Sequence, residues 1–111
     1  MSTPAATSLR SRIEIPRDHP AFVGHFPKFP VLPGAVLLDE VLQAVARQRG
    51  IDITEWHIAA AKFLDVVRPG DELHLEHDLP KSGLIRFTIL AANRTVATGS
   101  LSNAARAGGA V

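Results

Sequence analysis

An α+β fold, one long helix packed on an antiparallel sheet of about five strands, is what this sequence predicts, on three observations. One strong helical pattern runs from Ala35 to Arg49. After Gly50 the apolar period changes to two, and turn signals separate the alternating runs.

The helix AVLLDEVLQAVARQR follows Pro33-Gly34 and stops at Gly50. Proline suits a first turn, where its missing amide proton costs nothing, and glycine suits the left-handed position after the last turn. Leu37, Val41, Ala44, Val45 and Gln48 form one stripe at helical spacing. Val36, Leu38, Leu42 and Ala46 widen the apolar surface beyond one face, which predicts a helix enclosed by its surroundings.

Arg12–Ile15 reads as a short first strand and His57–Val67 as the strand after the helix, closed by the turn Arg68-Pro69-Gly70-Asp71. Glu72, His74, Glu76 and Asp78 alternate with Leu73, Leu75, His77 and Leu79, the mark of a half-buried strand. Pro80-Lys81-Ser82-Gly83 is a turn, and Ile85, Phe87 and Ile89 alternate through the next strand. Asn93-Arg94 turns the chain into a last strand, Val96–Leu101. With 111 residues there is room for one domain, read here as 12–103, between a polar leader 1–11 and a tail 104–111.

Composition removes several classes of function. The absence of cysteine excludes disulfides, thiolate nucleophiles and cysteine-held metals. Lys and Arg number 12 against 11 Asp and Glu, too balanced for a general nucleic-acid binder, which needs excess cations to release counterions. No run reaches the ~18 apolar residues of a membrane span, and Met1–Arg10 has no apolar signal core, so the expected location is the cytoplasm.

Five of the eight prolines and three of the five phenylalanines fall between Pro16 and Pro33. Proline there forbids a regular helix or an inner strand, so this is a long loop held by aromatic contacts, and such loops tend to be functional. His25 lies in it, among aromatics and prolines, just ahead of the helix. Asp39 is an acid inside an apolar helical run, one turn before Gln43, whose amide can reach its carboxyl. By pattern alone Asp39 has two readings, a residue at a solvated seam or a general acid or base. Glu40, about 100° away round the helix, reads as a solvated charge. His74 reads as surface and His77 as a satisfied rim residue; they face opposite sides of their strand and make a poor metal pair. His19 and His57 have no partner pattern. The amides at Gly34, in the first helical turn, are suited to polarising a carbonyl oxygen.

The run GHFPKFPVLPGAVLLDEVLQA resembles the signature GHFPxxPxxPGxxxLE/DxxxQ of the hotdog-fold 3-hydroxyacyl-[acyl-carrier-protein] dehydratases. His25, Phe26, Pro27, Pro30, Pro33, Gly34, Leu38, Asp39 and Gln43 fall in register, Asp39 comes fourteen positions after His25, and AKFLDVVRPGDEL resembles the family's second landmark. The resemblance implies a hotdog fold, paired through its sheets into a homodimer with composite sites, His25 from one subunit and Asp39 from the other. It also leaves room for a trimer of dimers or a heterodimer with a related dehydratase. The implied reaction is dehydration of a 3-hydroxyacyl thioester to the trans-2-enoyl thioester. His25 would take the C2 proton, Gly34 would stabilise the enolate-like charge, and Asp39 would protonate the departing hydroxyl. The Val31 carbonyl would orient His25 and Gln43 would orient Asp39, with no metal or organic cofactor required.

Where the common fatty-acid dehydratases carry Glu, this chain has Asp39, and LLDEVLQ resembles the shorter dehydratases of aryl-polyene and pigment clusters. The thioester would arrive on an acidic acyl carrier protein, for which Arg17, Lys28, Lys62 and Arg68 are candidate contacts. Two other readings stand beside this one: a hotdog acyl-thioesterase, and a non-catalytic partner subunit that completes another dehydratase's site.

Overall fold

The computed structural model describes residues 8–22, 31–79 and 83–103. Among them the chain forms β1 (Leu9–Ile13), a short 3-10 turn (Pro20–Phe22), α1 (Gly34–Arg49), a second 3-10 turn (Ile53–Glu55), β2 (Trp56–Phe63), β3 (Leu73–Asp78), β4 (Ile85–Ala91) and β5 (Arg94–Asn103). The strands make one antiparallel sheet in the order β1-β3-β4-β5-β2, and α1 packs on one face of it. This is the hotdog arrangement, a helix wrapped by an antiparallel sheet. No helix among the described residues is long and apolar enough to cross a membrane.

The ends of α1 follow from two residues. Pro33 holds φ −59° and ψ 141°, and its carbonyl accepts from the Val36 and Leu37 amides at 3.0 and 3.1 Å. Gly50 takes the left-handed conformation, φ 67°, and its N–H closes on the Ala46 carbonyl at 2.9 Å. Leu37, Val41, Ala44 and Val45 are buried against the sheet. The rest of the wide apolar surface is not enclosed, contrary to the enclosure that the pattern predicts. Val36, Leu38 and Leu42 are only half-buried, while Asp39 and Gln43 are exposed. The described residues form a single sheet, and a single sheet covers one helical face.

In β3 and β4 the alternation works as read. Leu73, Leu75, Ile85, Phe87, Ile89 and Ala91 point to the helix and are buried. On the outer face Arg10 pairs with Glu76 at 3.2 Å and Arg86 with Asp78 at 3.4 Å, each directly across the ladder. These exposed pairs fix register more than they stabilise.

Several boundaries differ from the sequence reading. The first strand is Leu9–Ile13 rather than Arg12–Ile15, so β1 starts inside the stretch read as a leader; its register runs from Leu9 opposite His77 to Ile13 opposite Leu73. β2 ends at Phe63 rather than Val67, because residues 64–67 leave the ladder to bridge other elements. The Leu64 amide donates to the Val96 carbonyl at 2.7 Å, and the Val67 carbonyl accepts from Leu32 at 2.8 Å. β5 is longer than Val96–Leu101 and begins at Arg94, with the turn at Ala92-Asn93. Residues 80–82 of the Pro80–Gly83 turn lie outside the described residues.

Gly99 in β5 marks a close approach. A Cβ there would lie 2.5 Å from Phe87 Cζ and would also collide with the Ala60 carbonyl oxygen. The aromatic ring fills the gap that the glycine leaves, on the inner side of the sheet. Gly99→Ala is therefore expected to destabilise the fold by about 2 kcal/mol through overpacking. That corresponds to a melting temperature lower by roughly 10 °C. An unchanged thermal melt would show that β2 and Phe87 can yield without cost.

Candidate active site

Of the residues singled out by the sequence, Gly34, Asp39 and Gln43 lie on α1 and Val31 just ahead of it. The Gln43 side-chain amide donates to Asp39 Oδ2 at 2.8 Å, one turn along the helix. Asp39 stands at the edge of a cavity of about 360 Å³ whose other walls are apolar: Ala35, Leu38, Leu42 and Ile58. Three of those walls are the helical face that the chain's own sheet leaves uncovered. An acid held by an amide beside an apolar groove can meet a substrate whose body is hydrocarbon and whose reacting end is polar.

A second cavity, about 300 Å³, lies at the start of the helix and takes in Val31, Gly34, Leu37, Phe63, Val66 and Val96. The segment carrying Val66 is stapled from β5 by Arg94. Its guanidinium reaches Asp65 Oδ2 at 2.9 Å, the Val66 carbonyl at 3.0 Å and Asp71 Oδ2 at 2.8 Å. The hydrogen bond to Asp65 holds the Arg94 pKa above its ordinary value. Asp71 also closes its own turn, accepting from the Arg68 amide at 2.9 Å. Larger clefts of about 440 and 510 Å³ lie elsewhere, beside charged residues such as Asp78 and Arg86 or Arg12 and Glu14. Each of them is lined by several charged side chains, whereas the groove on α1 sets a single acid among apolar walls, so the site is placed at the helix.

Val31 and Gly34 thus border the cavity at the start of α1, and Asp39, bonded by Gln43, borders the other. His25 lies outside the described residues, as does Lys28. Of the other candidate carrier contacts, Arg17 reaches the 68–71 turn: a Cβ on Gly70 would lie 2.6 Å from its Nη2. Lys62 pairs with Thr98 across the ladder, on the opposite face from Phe63.

None of the remaining histidines lines either cavity on α1. His77 is 2% exposed, more deeply buried than a rim residue, and is bound by Arg49 and Gln48. His19 Nδ1 accepts from the Ala21 amide at 3.0 Å. His74 lies 3.9 Å from Glu72, and His57 is exposed. Among the described residues no three His, Cys, Asp or Glu side chains are grouped as a metal would need.

Sequence reasoning missed Phe63. The strand HIAAAKF read at strict period two puts Phe63 opposite Ile58. A β-bulge between Ile58 and Ala60 shifts the register, so Ile58 pairs with Leu101 and Phe63 with Ala97, both of which are core-facing. The signal available was Lys62, a charge that strict alternation would have placed on the apolar row.

A family model described as ApeI-like, ApeI dehydratase, matches residues 2–100 of the chain. The chain belongs to the ApeI-like dehydratase family. Among curated relatives of this ApeI-like chain is the 3-hydroxyacyl-[acyl-carrier-protein] dehydratase FabZ of Shewanella amazonensis, 35% identical over 82 residues, 65% of this chain and 54% of that one. The ApeI-like chain spans about half the length of the first curated relatives it matches. Among solved structures, the dehydratase heterocomplex ApeI:P from Xenorhabdus doucetiae matches with a TM-score of 0.69 and 25% identity, over 91% of this chain and 90% of that one. A fluoroacetyl-CoA thioesterase, FlK, in complex with fluoroacetate matches with a TM-score of 0.62 at 11% identity, over 93% and 92%; it shares the fold.

Proposed function

We propose that this chain dehydrates a carrier-bound 3-hydroxyacyl thioester to the trans-2-enoyl thioester. The observation that carries the proposal is Asp39, held by Gln43 at the edge of an apolar groove on α1. His25 removes the C2 proton, which the thioester carbonyl acidifies, and amide donation at Gly34 stabilises the enolate-like charge. The C3–O bond breaks as Asp39 delivers a proton to the hydroxyl, which leaves as water. Family membership and the helix-start position of Gly34 support these roles.

Asp39 is exposed in one chain, and a carboxyl keeps its proton best where water is excluded. A second chain supplies that exclusion in this reading. β2 is a sheet edge, Ala59–Phe63 along it are exposed, and Phe63, Leu64 and Val66 are large apolar residues left 38–50% exposed beside it. Pairing across β2 covers these residues and completes each site with His25 from one subunit and Asp39 from the other. The partner is a second copy, alone or in a trimer of dimers, or a related dehydratase chain. The last option is favoured by likeness to a chain of a dehydratase heterocomplex. The substrate in this reading is an alkyl or an aryl-polyene acyl group carried by an acyl carrier protein in the cytoplasm.

The test is incubation of the purified chain with 3-hydroxyacyl thioesters of graded length and an aryl-polyenyl analogue, followed by mass spectrometry. Loss of water with the thioester intact is the expected result. Release of free thiol would identify a thioesterase instead. No change with the chain alone, and water loss only after addition of a related dehydratase subunit, would make it a partner subunit.

A further inference from the structure

We propose that Phe63 sets the size of the acyl group that this site accepts. The inference rests on the dehydratase reading and extends it to a specificity residue. After the bulge, the helix-facing row of β2 is Ile58, Ala61 and Phe63, paired with Leu101, Gly99 and Ala97. Ile58 borders the Asp39 cavity, and Phe63 borders the cavity at Gly34. The strand therefore lines both cavities, with an alanine between its two large side chains. Without the bulge, strict alternation would turn Phe63 to the outer face and leave the Gly34 cavity without that wall.

The contact with Gly34 is what brings the ring in so far. A Cβ at residue 34 would lie 2.6 Å from Phe63 Cζ and 3.0 Å from Cε1, so only glycine lets the ring rest on the start of the helix. Yet Phe63 is 47% exposed, which a ring serving only as core filler would not be. Pairing across β2 covers the outer part of that surface, and the part that lines the Gly34 cavity is what a ligand meets. Leu37, Val66 and Val96 supply the other apolar walls, and the cavity of about 300 Å³ is small for a ligand site. An acyl thioester whose carbonyl lies at Gly34 meets this ring first, so the ring limits how long or bulky a chain can enter.

The experiment compares kcat/KM for a short and a long 3-hydroxyacyl thioester in the wild-type protein, Phe63→Ala and Phe63→Trp. A methylene that gains or loses its place in an apolar pocket changes kcat/KM about 10–200-fold. Phe63→Ala is expected to raise the long-to-short ratio at least about tenfold, and Phe63→Trp to lower it. Phe63→Leu, with thermal melts of each variant, provides an intermediate ratio in case Phe63→Ala fails to fold. Equal losses on both substrates, or an unchanged ratio, would overturn the inference while the dehydratase reading stands. A wild-type protein that releases thiol rather than water would overturn the dehydratase reading, and the ratio measured on hydrolysis would still decide the role of Phe63. A wild-type protein inactive on every thioester, both alone and with a related dehydratase subunit added, would remove both.

Discussion

Asp39→Asn is expected to lower the rate of water loss by about 10²–10⁴-fold, the usual contribution of a positioned acid or base, without unfolding the chain. This equals about 3–5 kcal/mol of barrier. The substitution is close to isosteric, and the asparagine side-chain carbonyl can accept from Gln43 as the carboxyl does at 2.8 Å. What it removes is the proton available to the leaving hydroxyl. Asp39 is exposed in the single chain, so the change costs little folding energy. His25→Ala is expected to cause a loss of the same order by removing the base. The two substitutions together also test whether the sites are composite. If His25 and Asp39 of one site belong to different subunits, a mixed dimer of the two variants contains one intact site and one doubly defective site. Equal mixing with free exchange then restores about a quarter of the wild-type activity, since half the dimers are mixed and each has half its sites. Sites built within one chain would give no restoration. A wild-type rate in Asp39→Asn would assign the acid to another residue.

The elements that can be read from the sequence are those fixed by local chemistry. Pro33 and Gly50 bound α1 because one has no amide to satisfy and the other tolerates a positive φ; the helix starts one residue earlier than the apolar pattern, at Gly34. β3 and β4 were legible because each has one buried and one solvated face, so hydrophobicity reports the pleat directly. β1 and β2 were harder for the same physical reason. Both are edge strands, with a ladder on only one side, so their ends are set by contacts distant in sequence. β1 is defined by its pairing with β3, and the end of β2 by the bridge from Leu64 to Val96. Of the site, Asp39 and Gln43 were legible because helical spacing alone makes them neighbours. Phe63 was not, because a bulge changes which residues share a face without any change in composition. The breadth of apolar surface on α1 was visible too, but no pattern within one chain says whether its own sheet or something else covers it.

Lowering the pH from about 7 to 4 is expected to cost the fold about 3 kcal/mol through His77 alone. His77 is 2% exposed on the inner face of β3. Its Nδ1 accepts from Arg49 Nε at 2.8 Å, and because an arginine can only donate, that nitrogen must carry the lone pair. The proton is then on Nε2, which donates to Gln48 Oε1 at 2.8 Å, while Arg49 Nη2 also reaches the His77 carbonyl at 3.2 Å. A second ring proton would point at the guanidinium. Burial, and then the Arg49 charge, lower the pKa from 6.5 to about 4, against an opposing pull from Asp78. In the unfolded chain the ring takes up its proton near 6.5, so the stabilisation is complete above that pH. It falls by about 1.4 kcal/mol per pH unit until the folded form protonates near 4. Asp52 and Asp65, whose pKa values lie below the usual carboxylate range, lose their contributions at lower pH and leave this window to the histidine. Urea titrations at intervals between pH 7 and 4.5 provide the measurement, with His77→Gln as the non-titrating control. The wild-type midpoint is expected to fall steadily, whereas the control starts lower and stays nearly level. Parallel curves would place the acid sensitivity elsewhere and leave the Arg49–His77–Gln48 cluster only the task of holding the last turn of α1 to β3.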